Sequence, residues 1–271
     1  DGFKDFKKVF DYIKNLKTDN QLSYLNAIIV MINDENLLIH YKKTRLALNS
    51  IKSKSYEINK KSDDFIEYNE LLETYKKPDF TNDNAKKVID EMLMFMAIRY
   101  PIRSELSNLI IVKKKYDLKS YSDNEINDST IIKNNYILIN NRGINLYMNQ
   151  FKNVIEFKPN VIKIDKIHES VFRDYMKFLK KNDLIFKKFI LESALKIREF
   201  PNNTAFSSKL TKLFKLKYPN KNANMNMVRK SYETNLINSE KYKSMTNQEK
   251  KNEHSKLLHR MSTANEIYNQ V

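Results

Sequence analysis

The sequence predicts a mainly α fold with a small antiparallel β-sheet (α+β), divided into domains at 1–78 and 79–271. Three observations predict it. Apolar residues recur at helical spacing over most of the chain. Short β-rich segments between 109 and 164 flank the turn sequence Asn140-Asn141-Arg142-Gly143. Pro78 lies in the polar stretch KKPDFTND, where a boundary between domains is expected.

The elements follow in order. Phe3, Phe6, Val9, Phe10, Ile13 and Leu16 define a helix over 3–16. Thr18 and Asp19 can cap a second helix bearing Leu22, Leu25, Ile28, Ile29 and Ile32. A third runs through about 36–60 and a fourth through 63–77. Thr81 or Asn82 starts a long helix with the core stripe Val88, Met92, Phe95 and Met96, ending before Pro101. Leu109–Val112 reads as a strand and 113–130 as a polar loop. Tyr136–Ile139 and Ile144–Phe151 read as a hairpin, because Asn and Gly supply its turn chemistry. Val154–Phe157 and Val161–Ile164 continue the strand character. From about 167 onward helices are expected at 167–181, 183–198, 204–217, 224–238 and 247–258, with a short last one ending near Tyr268.

Composition limits the function. The 271 residues include 49 Lys/Arg against 33 Asp/Glu, a net charge of +16. The excess is concentrated: 1–78 holds 14 basic and 12 acidic residues, and 79–271 holds 35 and 21. Such a surplus calls for a polyanion, most simply nucleic acid, with an acidic membrane surface as the other answer. The absence of cysteine rules out disulfides, zinc fingers and thiol catalysis. The four histidines, His40, His168, His254 and His259, have no metal-binding spacing. Gly2 and Gly143 are the only glycines, so neither glycine-rich phosphate loop can form. No apolar run approaches the roughly 18 residues of a membrane span. The chain begins at Asp1 without Met, so the lack of a visible signal peptide excludes little.

Three segments of the basic part hold candidate chemistry. Arg103 follows a helix break in Pro101-Ile102-Arg103-Ser104-Glu105-Leu106. Arg229 opens a helix in Asn226-Met227-Val228-Arg229-Lys230-Ser231-Tyr232. In Leu258-His259-Arg260-Met261-Ser262-Thr263-Ala264-Asn265-Glu266-Ile267-Tyr268, nine positions separate His259 from Tyr268. Their order resembles the tyrosine recombinase (phage-integrase-like) superfamily, closest to the branch of virophages, large DNA viruses and crypton-type elements. The motifs cover 79–271; for 1–78 the likeness rests on a compact helical domain similar to the family's core-binding domain. Asn226 stands where the family has His, and Leu258 where it has Gly. Arg229 and His259 are 30 positions apart, farther than in typical members.

The resemblance implies DNA strand breakage and rejoining through a 3′-phosphotyrosine, without metal, ATP or cofactor. Tyr268 would be the nucleophile. Arg103 and Arg229 would brace the phosphate, because a guanidinium offers a planar fork and stays charged. Asn226 would donate a hydrogen bond, and His259 would assist proton transfer. Lys152, or alternatively Lys158, would protonate the leaving 5′ oxygen. Double-stranded DNA is the implied partner, bound by a homo-tetramer on paired sites, or by a monomer where a docking C-terminal segment is lacking. The implied setting is intracellular, in the cytoplasm or nucleus of a host. Lys42, Lys43 and Arg45 on the third helix, and Lys209, Lys212 and Lys215 on helix 204–217, are candidate phosphate contacts; each set also reads as a solvated face. Two alternatives stay open: a type IB topoisomerase-like enzyme that relaxes supercoils as a monomer, and a non-catalytic DNA-binding protein of the same fold.

Overall fold

A computed structural model describes residues 5–58, 64–102, 104–112, 134–151 and 160–258. The chain separates into two compact units, divided between Lys60 and Lys61. The expected boundary was Pro78. Residues 64–78 pack with the second unit because Ile66, Tyr68 and Leu71 are buried in its core.

The first unit contains three helices. α1 (Phe6–Ile13) is capped by Asp5, whose carboxylate accepts from Lys8 N. α2 (Thr18–Met31) begins at the expected cap itself, so Thr18 is already helical and no side chain caps the end. Gln21 Nε2 ties the turn before it by donating to Lys14 O and Leu16 O. α3 (Glu35–Ile58) starts after Asp34, which accepts from Asn36 N and Leu37 N. Ile13, Leu25, Ile28 and Tyr41 form the core, and Phe6 meets Tyr41 edge-on at 4.9 Å.

The second unit is built around α5. α4 (Tyr68–Thr74) precedes it and is shorter than the expected 63–77. α5 (Ala85–Arg99) is capped by Asn84, which accepts from Lys87 N. It therefore starts later than Thr81 or Asn82; those residues bond to Asp79 and Asn84 in the preceding loop. The expected stripe Val88, Met92, Phe95 and Met96 is buried, and so are Ile89, Leu93, Met94, Ala97 and Ile98. A helix apolar on nearly all sides belongs at the centre of a domain. After Pro101 come a 3-10 turn (Ser104–Asn108) and β1 (Leu109–Val112).

β2 (Asn135–Asn140) and β3 (Gly143–Met148) form the expected hairpin. Its turn is held by Asn140 Oδ1, which accepts from Arg142 N, and Gly143 has φ +141°, a value costly for residues with a Cβ. β4 (Asn160–Lys163) completes a sheet of order β1-β2-β3-β4. β1 runs parallel to β2, pairing Leu109 with Asn135, so the sheet is mixed rather than antiparallel. Expectations for loop 113–130 and strand Val154–Phe157 lie outside the described residues.

α6 (Lys166–Lys181) covers the sheet through Phe172 and Tyr175, which pack on Phe189. The next segment corrects the reading of 183–198 as a helix. It contains an edge run followed by β5 (Leu191–Ser193) and β6 (Ile197–Glu199). Phe189, Ile190 and Leu191 are consecutive and all buried, a pattern a helix cannot produce at a surface. Phe189 N donates to Leu109 O, so the run extends the edge of β1. Helices α7 (Asn203–Lys217), α8 (Met225–Asn238), α9 (Glu240–Ser244) and α10 (Asn247–Lys256) follow. Asn203 Oδ1 accepts from Ser107 Oγ and Asn108 Nδ2, which fixes α7 to the 3-10 turn. Among the described residues, no helix is long and apolar enough to cross a membrane.

Candidate functional site

The site is organised by α8. Asn224 Oδ1 accepts from Asn226 N and Met227 N, and this cap sets the helix start. From there the 3.6-residue period turns Val228, Arg229 and Ser231 inward and leaves Asn226 exposed. Arg229 has no solvent exposure, although guanidiniums are almost never fully buried unless paired. Its Nη1 donates to Pro101 O at 2.5 Å and its Nη2 to Leu257 O at 3.0 Å. Pro101 stands two residues before Arg103, and Leu257 two residues before His259. One guanidinium thus joins the chain segments that lead into both other motifs.

Each segment is also fixed locally. Tyr100 N bonds to Met96 O and Ile102 N to Tyr100 O, while Ile102 and Leu106 are buried on either side of Arg103. Tyr100 Oη accepts from Asp165 N and meets His168 Nδ1 at 2.9 Å. At the other segment, Leu257 N and Leu258 N bond to His254 O and Ser255 O. Leu258 is left-handed, with φ +58°, a conformation that favours glycine. Its side chain is nevertheless buried in the main core.

A second buried polar group lies one turn along α8. Glu233 and His254 have no exposure, and His254 Nδ1 is 3.1 Å from Glu233 Oε2. His254 Nε2 is 2.6 Å from Tyr242 Oη. Burial first, and the Glu233 charge second, push the Tyr242 phenol above its ordinary value. A cavity of about 240 Å³ opens beside Pro101 and Leu257. Arg99, Lys163, Lys241 and Lys256 line it with Asp165 and Glu253, against Tyr232 and Leu257. Among the described residues, no group of three His, Cys, Asp or Glu side chains could hold a metal ion.

Comparison with protein-family models, curated proteins and solved structures finds no match.

Of the catalytic residues singled out from sequence, Asn226 and Arg229 are described. Arg103, Lys152, Lys158, His259 and Tyr268 lie outside the described residues. Lys42 and Lys43 are exposed on α3, and Arg45 is half-buried with Nη1 3.4 Å from Asn26 Oδ1. Lys212 and Lys215 are exposed on α7. Lys209 is placed differently from Lys212 and Lys215. Its ammonium turns inward to Asp90 Oδ2 at 2.9 Å and Ser193 Oγ at 2.8 Å, where it joins α7 to α5 and β5. Sequence reasoning missed Glu233, His254 and Tyr242. The one available signal was the four-residue spacing of Arg229 and Glu233, which places both on one helix face.

Proposed function

We propose that this chain is a tyrosine-recombinase-type enzyme that cuts and rejoins duplex DNA through a 3′-phosphotyrosine. One observation supports the reading most: the two bonds of Arg229 draw together the segments entering Arg103 and His259. These motifs are more than a hundred positions apart in the chain, and a shared phosphate site requires them to converge. The positive surplus in 79–271 supplies attraction for the backbone on either side of a cut.

In this mechanism the Tyr268 oxygen attacks the scissile phosphorus. A phenol with an ordinary value near 10 must lose its proton as it attacks, with help from His259. Arg103 and Arg229 stabilise the charge on the non-bridging oxygens. The 5′ oxygen leaves with a proton from Lys152 or Lys158. A 5′ hydroxyl from another strand reverses the attack, so the phosphodiester bond energy is kept. A homo-tetramer on paired sites would align two such duplexes. The full burial of Arg229 requires that the groups over it shift when DNA binds.

That burial also favours a second reading, in which Arg229 only ties the fold together and the protein binds DNA without cutting it. The test uses duplexes selected from a random library for tight binding, each nicked beside the bound site. An SDS-resistant adduct with the wild type, absent with Tyr268→Phe, supports strand transfer. Salt-sensitive binding without an adduct supports the second reading. Relaxation of supercoiled plasmid by a monomer would point to the topoisomerase-like alternative.

A further inference from the structure

We propose that Glu233, His254 and Tyr242 are positioning residues that set Arg229 and the chain leading into His259. The word positioning rests on the function proposed above; the geometry stands by itself. Arg229 and Glu233 are four residues apart on α8, and His254 and Leu257 are three apart at the end of α10. Each helix therefore offers two polar groups one turn apart, and the pairs meet: Arg229 at Leu257 O and Glu233 at His254 Nδ1. This double contact fixes the angle and register of α10 against α8. Tyr242, on the short helix between them, closes the arrangement at His254 Nε2. The ring of Tyr242 also meets the imidazole edge-on, with centroids 5.5 Å apart at 76°.

The two ring nitrogens of His254 face different partners: Nδ1 lies 3.1 Å from Glu233 Oε2, and Nε2 lies 2.6 Å from Tyr242 Oη. Burying an ionisable pair with no solvent exposure costs more than an apolar contact of equal size. An apolar α8–α10 contact could slide by a methyl group. A buried polar chain cannot do so without leaving charges unpaired, and it acts on the two helices that bracket Arg229 and the turn at Leu257 and Leu258.

The test compares the full-length wild type with Tyr242→Phe, Glu233→Gln and His254→Gln. The first readout is chemistry-free: amide exchange of Leu257 and Leu258, with Phe172 and Tyr175 on α6 as remote references, and the Arg229 Nε–H resonance. Tyr242→Phe should speed exchange at Leu257 and Leu258 by about tenfold or more and shift the Arg229 signal, with the references unchanged. The second readout is the adduct rate at saturating nicked DNA. It should fall about 10–100-fold while DNA affinity stays within about twofold, the pattern of lost positioning rather than lost binding. Exchange that is unchanged, or faster everywhere alike, overturns the proposal. So does local loosening with an unaltered adduct rate in an active protein. If the wild type makes no adduct, strand transfer fails as the function, and the exchange and resonance data still decide whether these residues hold Arg229.

Discussion

Arg229→Lys isolates the bridge made by Arg229. Lysine keeps the positive charge but reaches one carbonyl where the guanidinium spans two, so Pro101 O or Leu257 O loses its donor. A hydrogen bond to a charged group contributes about 1.5–3 kcal/mol, and the orphaned carbonyl is buried. Backbone shifts can recover part of this, so a loss of about 2 kcal/mol is expected. For a unit of this size each kcal/mol moves the melting temperature by about 2–4 °C, giving a drop of about 4–8 °C. Scanning calorimetry on the full chain reads it, with Asn226→Ala as an exposed control on the same helix. Arg229→Met removes both donors and should cost about 2–6 kcal/mol, about 1–3 for each buried carbonyl left unpaired. Melting of Arg229→Lys within about 1 °C of the wild type would refute the bridge between the two segments.

Other consequences can be measured separately. Lys209→Met should lower stability by about 1–3 kcal/mol in urea melts, because it strips the partner from Asp90, yet leave the salt dependence of DNA binding intact. Lys212→Ala with Lys215→Ala should do the reverse: unchanged melting, and a salt slope shallower by about 1 for each lysine that touches phosphate. His168 is held below its ordinary value, mainly by burial and then by the Arg99 charge, with Asp165 opposing. The unfolded chain thus takes up the proton more readily, so this contribution is complete above about pH 6.5 and is lost as pH falls through that range. His168→Gln should flatten the acid side of the stability profile. Leu258→Gly would relieve a left-handed backbone worth about 1–2 kcal/mol but remove a core side chain worth about 3–5, so the variant should be less stable by about 1–4 kcal/mol in urea melts.

How far the sequence revealed the fold varies along the chain. α5, α7 and α8 were legible because each carries apolar residues at helical spacing and an asparagine cap at its start. The β2–β3 hairpin was legible because Asn140 and Gly143 bracket a tight turn. The segment 183–198 was not, since Phe189, Ile190 and Leu191 form a short apolar run that fits a strand or a buried helix equally well. Its pairing with the edge of β1 decides the matter, and that pairing joins residues about eighty positions apart. The start of α5 was placed early because Thr81 and Asn82 are as good capping types as Asn84, and only backbone geometry separates them. The place of Arg229 near the start of a helix was legible, but its burial was not. The Lys209–Asp90 pair was not legible, because a lysine periodicity does not show which member meets Asp90. His254 looked like an isolated histidine, since its partners come from two other helices.

The proposed strand transfer stands or falls on a covalent link at Tyr268. The adduct formed on nicked duplex should be digested with nuclease and protease and its peptides examined by mass spectrometry. A nucleotide joined through phosphate to Tyr268, and absent from Tyr268→Phe, is the predicted result. Tight, salt-sensitive binding with no nucleotide on any tyrosine, or a nucleotide on a different residue, would contradict the claim.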